Sequence, residues 1–250
     1  VWNSDLSHPL LRKLSVSVDY YTINIKNAIS VVPGLTILSK CYNQDGTNPS
    51  YSNATDFCRL IHRDASGLMD FVETPYLNLG GFKTSGVEFQ VNWTAAMDDL
   101  GLGSFGDEIT INSAIGYSDE FKVQTLPGAK FDEFAGTNTP GKTFPRWKAL
   151  TTFGYKNGPF SAGLRWRYQD AMKDVAIITT PSTPGRGVGA YHLFDFFGVY
   201  DLNDAVQLRA GVTNLTERGL PFVSSATNGT DPAVFDAIGR SFYLGFKLKM

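Results

Sequence analysis

The sequence predicts an all-β fold, an antiparallel transmembrane β-barrel. Three observations predict it. Apolar residues recur at period two in run after run. Short and long polar connections alternate between those runs. Aromatic residues gather at the ends of the runs. Charged residues make up 18% of the 250 residues and aromatic residues 13%, with a formal net charge of -2. So balanced a chain has no basic footprint for nucleic acid, and none is expected as a partner. No apolar run approaches the roughly 18 residues of a spanning helix, which excludes a helical membrane protein but not a barrel.

The closing residues give the plainest alternation. Phe242, Leu244, Phe246, Leu248 and Met250 fall on one face, and Ser241, Tyr243, Gly245, Lys247 and Lys249 on the other. In Phe160–Tyr168 the apolar phase is Phe160, Ala162, Leu164, Trp166 and Tyr168, against Ser161, Gly163, Arg165 and Arg167. Before it, Trp147, Ala149, Thr151, Phe153 and Tyr155 alternate with Lys148, Leu150, Thr152 and Gly154. Lys156-Asn157-Gly158-Pro159 joins the two runs, and Asn-Gly predicts a primed turn with positive φ at its central residues. Further strands are expected at Leu14–Tyr20, Val87–Trp93, Ile109–Tyr117, His192–Leu202 and Val206–Val212, about eight in all. The phase flips at Tyr20-Tyr21, which predicts a bulge or a change of environment there. His192–Leu202 is apolar on both faces. No segment sustains a helical period.

The connections sort by length. Those near 95–106, 157–159 and 202–205 are short; those near 28–76, 120–143, 170–190 and 216–236 are long. Short turns on one side of a membrane and long loops on the other are the habit of transmembrane barrels. A soluble sandwich, a lectin-like module or a complete small membrane barrel also uses period two, and these are the alternatives. The polar phase is rich in Gly, Ser, Thr, Asn and Arg, as a wet lumen is. Hence Phe153, Tyr155, Phe160, Leu164, Trp166, Phe242, Leu244, Phe246 and Leu248 are expected to face lipid. Arg165, Arg167 and Arg209 are expected to face the lumen, there to bind ligand or pair with carboxylates.

The two cysteines, Cys41 and Cys58, lie in one polar stretch. Neither Cys-x-x-Cys nor a pair of histidines accompanies them, which disfavours a metal site. A disulfide closing a surface loop is preferred over two buried thiols, and it implies an oxidising compartment. His8, His62 and His192 are scattered, no nucleophile elbow or phosphate loop occurs, and acidic pairs such as Asp98-Asp99 read as solvated loop charges. Neither catalysis nor a metal or other cofactor is expected. The four Asn-x-Ser/Thr triplets, at Asn53, Asn92, Asn214 and Asn228, read as coincidences of composition.

Val206–Phe222, with Asn214-Leu215 and Pro221 after the alternating run, resembles the penultimate strand of TonB-dependent receptors. Asp236–Met250, with Gly239-Arg240 and Phe242-Tyr243-Leu244-Gly245, resembles that family's closing strand, although its last residue is Met250 and not an aromatic. Asp19–Ile29 and Lys83–Phe89 resemble earlier barrel strands. The resemblance implies that residues 1–250 are the C-terminal portion of a 22-stranded barrel, with the plug domain and earlier strands absent. The start at Val1 without an initiator Met or signal peptide is read the same way, as a fragment. It further implies a monomer in outer-membrane lipid, energised through TonB by way of the plug. The cargo it implies is a scarce nutrient: a siderophore, cobalamin or an oligosaccharide. Ligand contact is expected in the outer loop through Tyr42, Tyr51, Phe57, Arg59, His62 and Arg63, where aromatic rings stack and Arg clamps carboxylates.

Overall fold

The computed structural model describes residues 2–3, 11, 13–102, 106–139, 142–182, 185, 187–224, 226 and 229–248. It divides into two compact units: Val1–Thr22, Thr84–Phe121 and Glu133–Met250 form the first, and Ile23–Lys83 with Lys122–Asp132 the second. Eight long strands carry the fold: β1 (Leu14–Val31), β2 (Tyr76–Ala96), β3 (Glu108–Gln124), β4 (Trp147–Asn157), β5 (Phe160–Gln169), β6 (Tyr191–Asp201), β7 (Val206–Thr213) and β8 (Ser241–Leu248). They line up in chain order in one sheet, and the short strand Trp2–Asn3 flanks β1. Sequence neighbours pair with sequence neighbours, so each ladder closes at the entropy cost of one connection. Among the described residues the path stays open, with Trp2–Asn3 at one edge and β8 at the other.

Several strands outrun their alternating cores, since β1, β2 and β3 have 18, 21 and 17 residues. Strand β1 runs on through Tyr20-Tyr21, where a bulge or a change of environment was expected. Its positive φ comes later, at Asn27. The Asn-Gly turn also needs correction. Asn157 pairs with Phe160, so the two-residue loop is Gly158-Pro159. Gly158 takes a φ of 51° and Pro159 can only take a negative one, which fits a II′ turn and excludes I′. The end of the alternation, at Lys249 and Met250, lies outside the described residues.

The long connections of the first unit are folded. Thr137–Thr139, Lys142–Phe144 and Lys173–Asp174 make a small sheet. Met172 bridges Val188, and both pack with Val223 and Phe235 onto Tyr191 and Leu193 of β6. That contact explains why β6 is apolar on both faces: half of its second face is covered by loop. Buried Asp174 ties two of these loops, accepting from the Ser224 hydroxyl at 2.6 Å and the Ala176 N–H at 2.9 Å.

Strand β7 stops at Asn214, which sits at a φ of 51° and is fully buried. Its side chain holds the next turn, donating to the Arg218 carbonyl and accepting the Arg218 N–H. Its own N–H donates to the Asp195 carboxylate at 3.0 Å, which also receives Arg167 at 2.9 Å. Asn tolerates the left-handed region better than other side-chain-bearing residues, which suits it to this stop.

In the second unit a helix, Gly34–Cys41, and a hairpin, Ile61–Arg63 with Met69–Val72, pack around Val32 and Ile37. The eight-residue helix is too short to have shown a helical period. A Cys41–Cys58 disulfide closes the loop between them. Inside that loop Asn48 bonds the Cys41 and Ser52 carbonyls and the Ser52 N–H. Lys40 reaches Asp45 at 2.5 Å, and with the Thr47 hydroxyl it lowers the Asp45 pKa from 3.8 to about 2.

Two outcomes are expected. Asp195→Ala leaves the Asn214 N–H and Arg167 without their carboxylate and lowers stability by about 2 kcal/mol, read as a fall in the unfolding midpoint of the detergent-solubilised protein. Because the folded pKa of Asp45 is depressed, its contribution is complete above the unfolded value of 3.8 and disappears as pH falls towards about 2. Hydrogen exchange in residues 43–52 therefore accelerates across that window, and Asp45→Asn abolishes the step.

Candidate functional site

Residues opposed in an antiparallel register share a face. Followed from β3 to β8, the registers sort every paired residue onto one of two faces. On the first, Ile111, Phe153, Leu164, Phe196, Val212 and Phe242 form one row across the sheet. The next row is Ile109, Tyr155, Ala162, Gly198, Ala210 and Leu244, and Phe160, Tyr200, Leu208 and Phe246 follow. Trp166 and Leu248 lie on the same face. The nine side chains read from the sequence as lipid-facing all lie on this one face. No Asp, Glu, Lys or Arg of these paired residues lies on it. Its loop end is aromatic: Tyr117 packs on Trp147 at 4.6 Å, and Trp166 stacks on His192 and donates its indole N–H to His192 Nδ1 at 3.2 Å. At the turn end the Tyr155 hydroxyl donates to Asp107 at 2.6 Å.

Every charged residue of the paired segments falls on the second face, and Arg165, Arg167 and Arg209 are among them. Arg167 is bound to Asp195. Arg165 lies over the Phe197 ring, 5.8 Å from its centroid, and Arg209 Nε donates to Gln207 at 2.8 Å. Near the loop end this face opens into a cleft of about 800 Å³ beneath residues 232–236, lined by Lys148, Arg167, Gln169 and Tyr191. Arg167 Nε and Gln169 Oε1 are buried there without a hydrogen-bond partner among the described residues. One is a donor and the other an acceptor, so the cleft offers both to a polar ligand. Sequence reading singled out Arg167 but not Lys148, Gln169 or Tyr191. Their common phase was readable, but the loops that close the cleft over them were not.

The second unit brings together only part of the expected loop set. Tyr42, Tyr51 and Arg63 border one cleft of about 300 Å³, with the Arg63 guanidinium bonded to the Tyr42 hydroxyl and, at 2.8 Å, to the Gly67 carbonyl. His62 instead stacks on Phe71 at 4.3 Å and meets Glu73 at 3.3 Å. Phe57 packs against Val32 and Ile37, because burying its ring is worth more than exposing it. Arg59 is exposed on the 3-10 turn Cys58–Leu60, 4.0 Å from Asp56.

The family model described as TonB dependent receptor-like, beta-barrel, matches residues 5–215. No curated protein matches the chain. Among solved structures, a ferric enterobactin receptor mutant from Pseudomonas aeruginosa superposes with a TM-score of 0.58 at 15% identity over 95% of this chain. The FrpB iron transporter from Neisseria meningitidis gives 0.56 at 14% identity, again over 95%. At these identities the likeness is one of fold. The chain spans 29% of the length of each. The family match covers most of the chain and the register reproduces a barrel wall with one charge-free face: this chain belongs to the TonB-dependent receptor β-barrel family.

Proposed function

We propose that this chain is part of the wall of an outer-membrane receptor that takes up a scarce nutrient with energy delivered through TonB. The observation that carries the reading is the segregation of charge: among the paired residues from β3 to β8, one face has none and the other has all of it. A charge at the bilayer midplane costs a barrel about 2–4 kcal/mol, so a lipid-facing surface excludes it while a wet lumen does not. From Trp147 to Tyr155 the charge-free face runs for the nine residues of one strand, within the roughly 9–11 that a tilted strand needs to cross. Aromatic residues at both limits suit the two membrane interfaces.

On this reading Phe153, Leu164, Phe196 and Phe242 meet lipid, and Arg165, Arg167 and Arg209 meet water and cargo. The loop cleft of Tyr42, Tyr51 and Arg63 and the wall cleft of Lys148, Arg167 and Gln169 are the ligand contacts. Structures of like fold that are described as an iron transporter and a ferric enterobactin receptor favour an iron complex as cargo.

The test is accumulation of radioactive iron, presented as ferric siderophores, by cells whose only receptor is the full-length protein. Uptake is expected with TonB and not without it. Equal uptake in both strains, or none from any scarce nutrient offered, contradicts the proposal.

A further inference from the structure

The charged face is not evenly mixed. Six successive rows cross it from the loop end to the turn end, about 7 Å apart. The first holds Lys148, the second Arg167, the third Arg165, the fifth Lys156 with Arg209, and the sixth Lys247. The fourth row has no charge. It reads Gly163, Phe197, Gly211, Tyr243 across β5 to β8, and its rings lie against its glycines, where a Cβ would collide with them. These rows hold three acids, and each is engaged. Asp195 takes Arg167 and the Asn214 N–H, Glu108 pairs with Lys13 at 3.1 Å, and Asp201 accepts from Gln207 at 2.9 Å. Glu88 of β2 borders the upper cleft beside Lys148. Lys148, Lys156, Arg165, Arg209 and Lys247 are exposed and form no ion pair among the described residues.

Cations outnumber acids on this face although the chain as a whole has a net charge of -2, so the face carries a positive sign. Cations spaced along one face sum their fields and raise the local concentration of anions. Arg165 and Arg209 also border one cleft of about 280 Å³ on either side of the Phe197–Tyr243 row. Arg165 is held over the Phe197 ring and Arg209 by Gln207, so both guanidinium groups are placed before a ligand arrives. We propose that β4 to β8 form a cationic ladder that selects an anionic cargo and passes it from row to row, with Arg165 and Arg209 as its central step. This inference rests on the lumen-facing assignment in the proposed function and adds the charge class of the ligand.

The probe is pyranine, a flat fluorescent trianion, with pyrenemethylammonium as its cationic counterpart. Anisotropy is measured on the full-length protein in detergent, after SDS electrophoresis without heating has verified that each variant is folded. Pyranine is expected to bind in preference to the cation. Its affinity is expected to weaken at least about tenfold in the Arg165→Gln, Arg209→Gln double variant, and to remain within about threefold in the Arg165→Lys, Arg209→Lys pair. In the wild type, raising salt from about 0.01 to about 1 M weakens binding, because the screening length falls from about 30 to about 3 Å. That arm holds even if a variant fails to fold. Equal binding of the two probes, no salt dependence, or a glutamine pair that binds pyranine like wild type overturns the ladder. Pyranine binding that follows these expectations in a protein that takes up no iron complex leaves the ladder standing and removes only the uptake reading.

Discussion

Hydrocarbon offers a peptide group no hydrogen bond, so a chain that enters it must satisfy every N–H and C=O from within. A sheet does so through its ladders, at the price of a strict two-residue period that commits each side chain to one face or the other. From β3 to β8 the ladders are continuous across six strands, and a one-residue slip anywhere would carry charge onto the charge-free face. Register is therefore fixed by the same constraint that makes the wall compatible with lipid. Much else follows from it: tight turns such as Gly158-Pro159, aromatic rings at the two limits, and cations confined to the other surface.

The connections obey a different rule. Outside the span, water satisfies the backbone and chain length costs little, so loops can grow. They do not stay loose. Met172, Val188, Val223 and Phe235 settle on Tyr191 and Leu193, and Asp174 and Asn214 tie the loop backbones with buried hydrogen bonds. The second unit does the same on a small scale with a disulfide, the Asn48 hub and the Lys40–Asp45 pair. Loop and wall meet where polar atoms of Arg167 and Gln169 stay unpaired, and that is where a ligand has something to gain.

Alternation made the strands legible, and phase alone put the nine apolar side chains on one face and the three arginines on the other. Where the reading erred, the cause was local geometry that composition does not carry. Asn-Gly is a strong turn signal, but the register moved the loop one residue on, to Gly158-Pro159. The doubled apolar face of β6 was visible, but its reason was contact with Met172, Val223 and Phe235, which lie far from it in sequence. Phe57 and His62 share a loop with Tyr42, yet one packs against Val32 and Ile37 and the other stacks on Phe71. Side-chain chemistry names what can bind; only packing decides which groups converge.

On the proposed function adjacent residues of β6 see opposite solvents, and Phe196 and Phe197 put that to the test. They are chemically identical, consecutive on β6, and assigned to opposite faces. Among the described residues no free cysteine competes for a label, since Cys41 and Cys58 are joined. A nitroxide is placed at Phe196→Cys or Phe197→Cys in the full-length protein reconstituted in lipid. Its relaxation is then measured with oxygen, which concentrates in hydrocarbon, and with a polar nickel chelate, which stays in water. Oxygen is expected to dominate at 196 and nickel at 197. Equal accessibility at the two sites, or the reverse order, would contradict it.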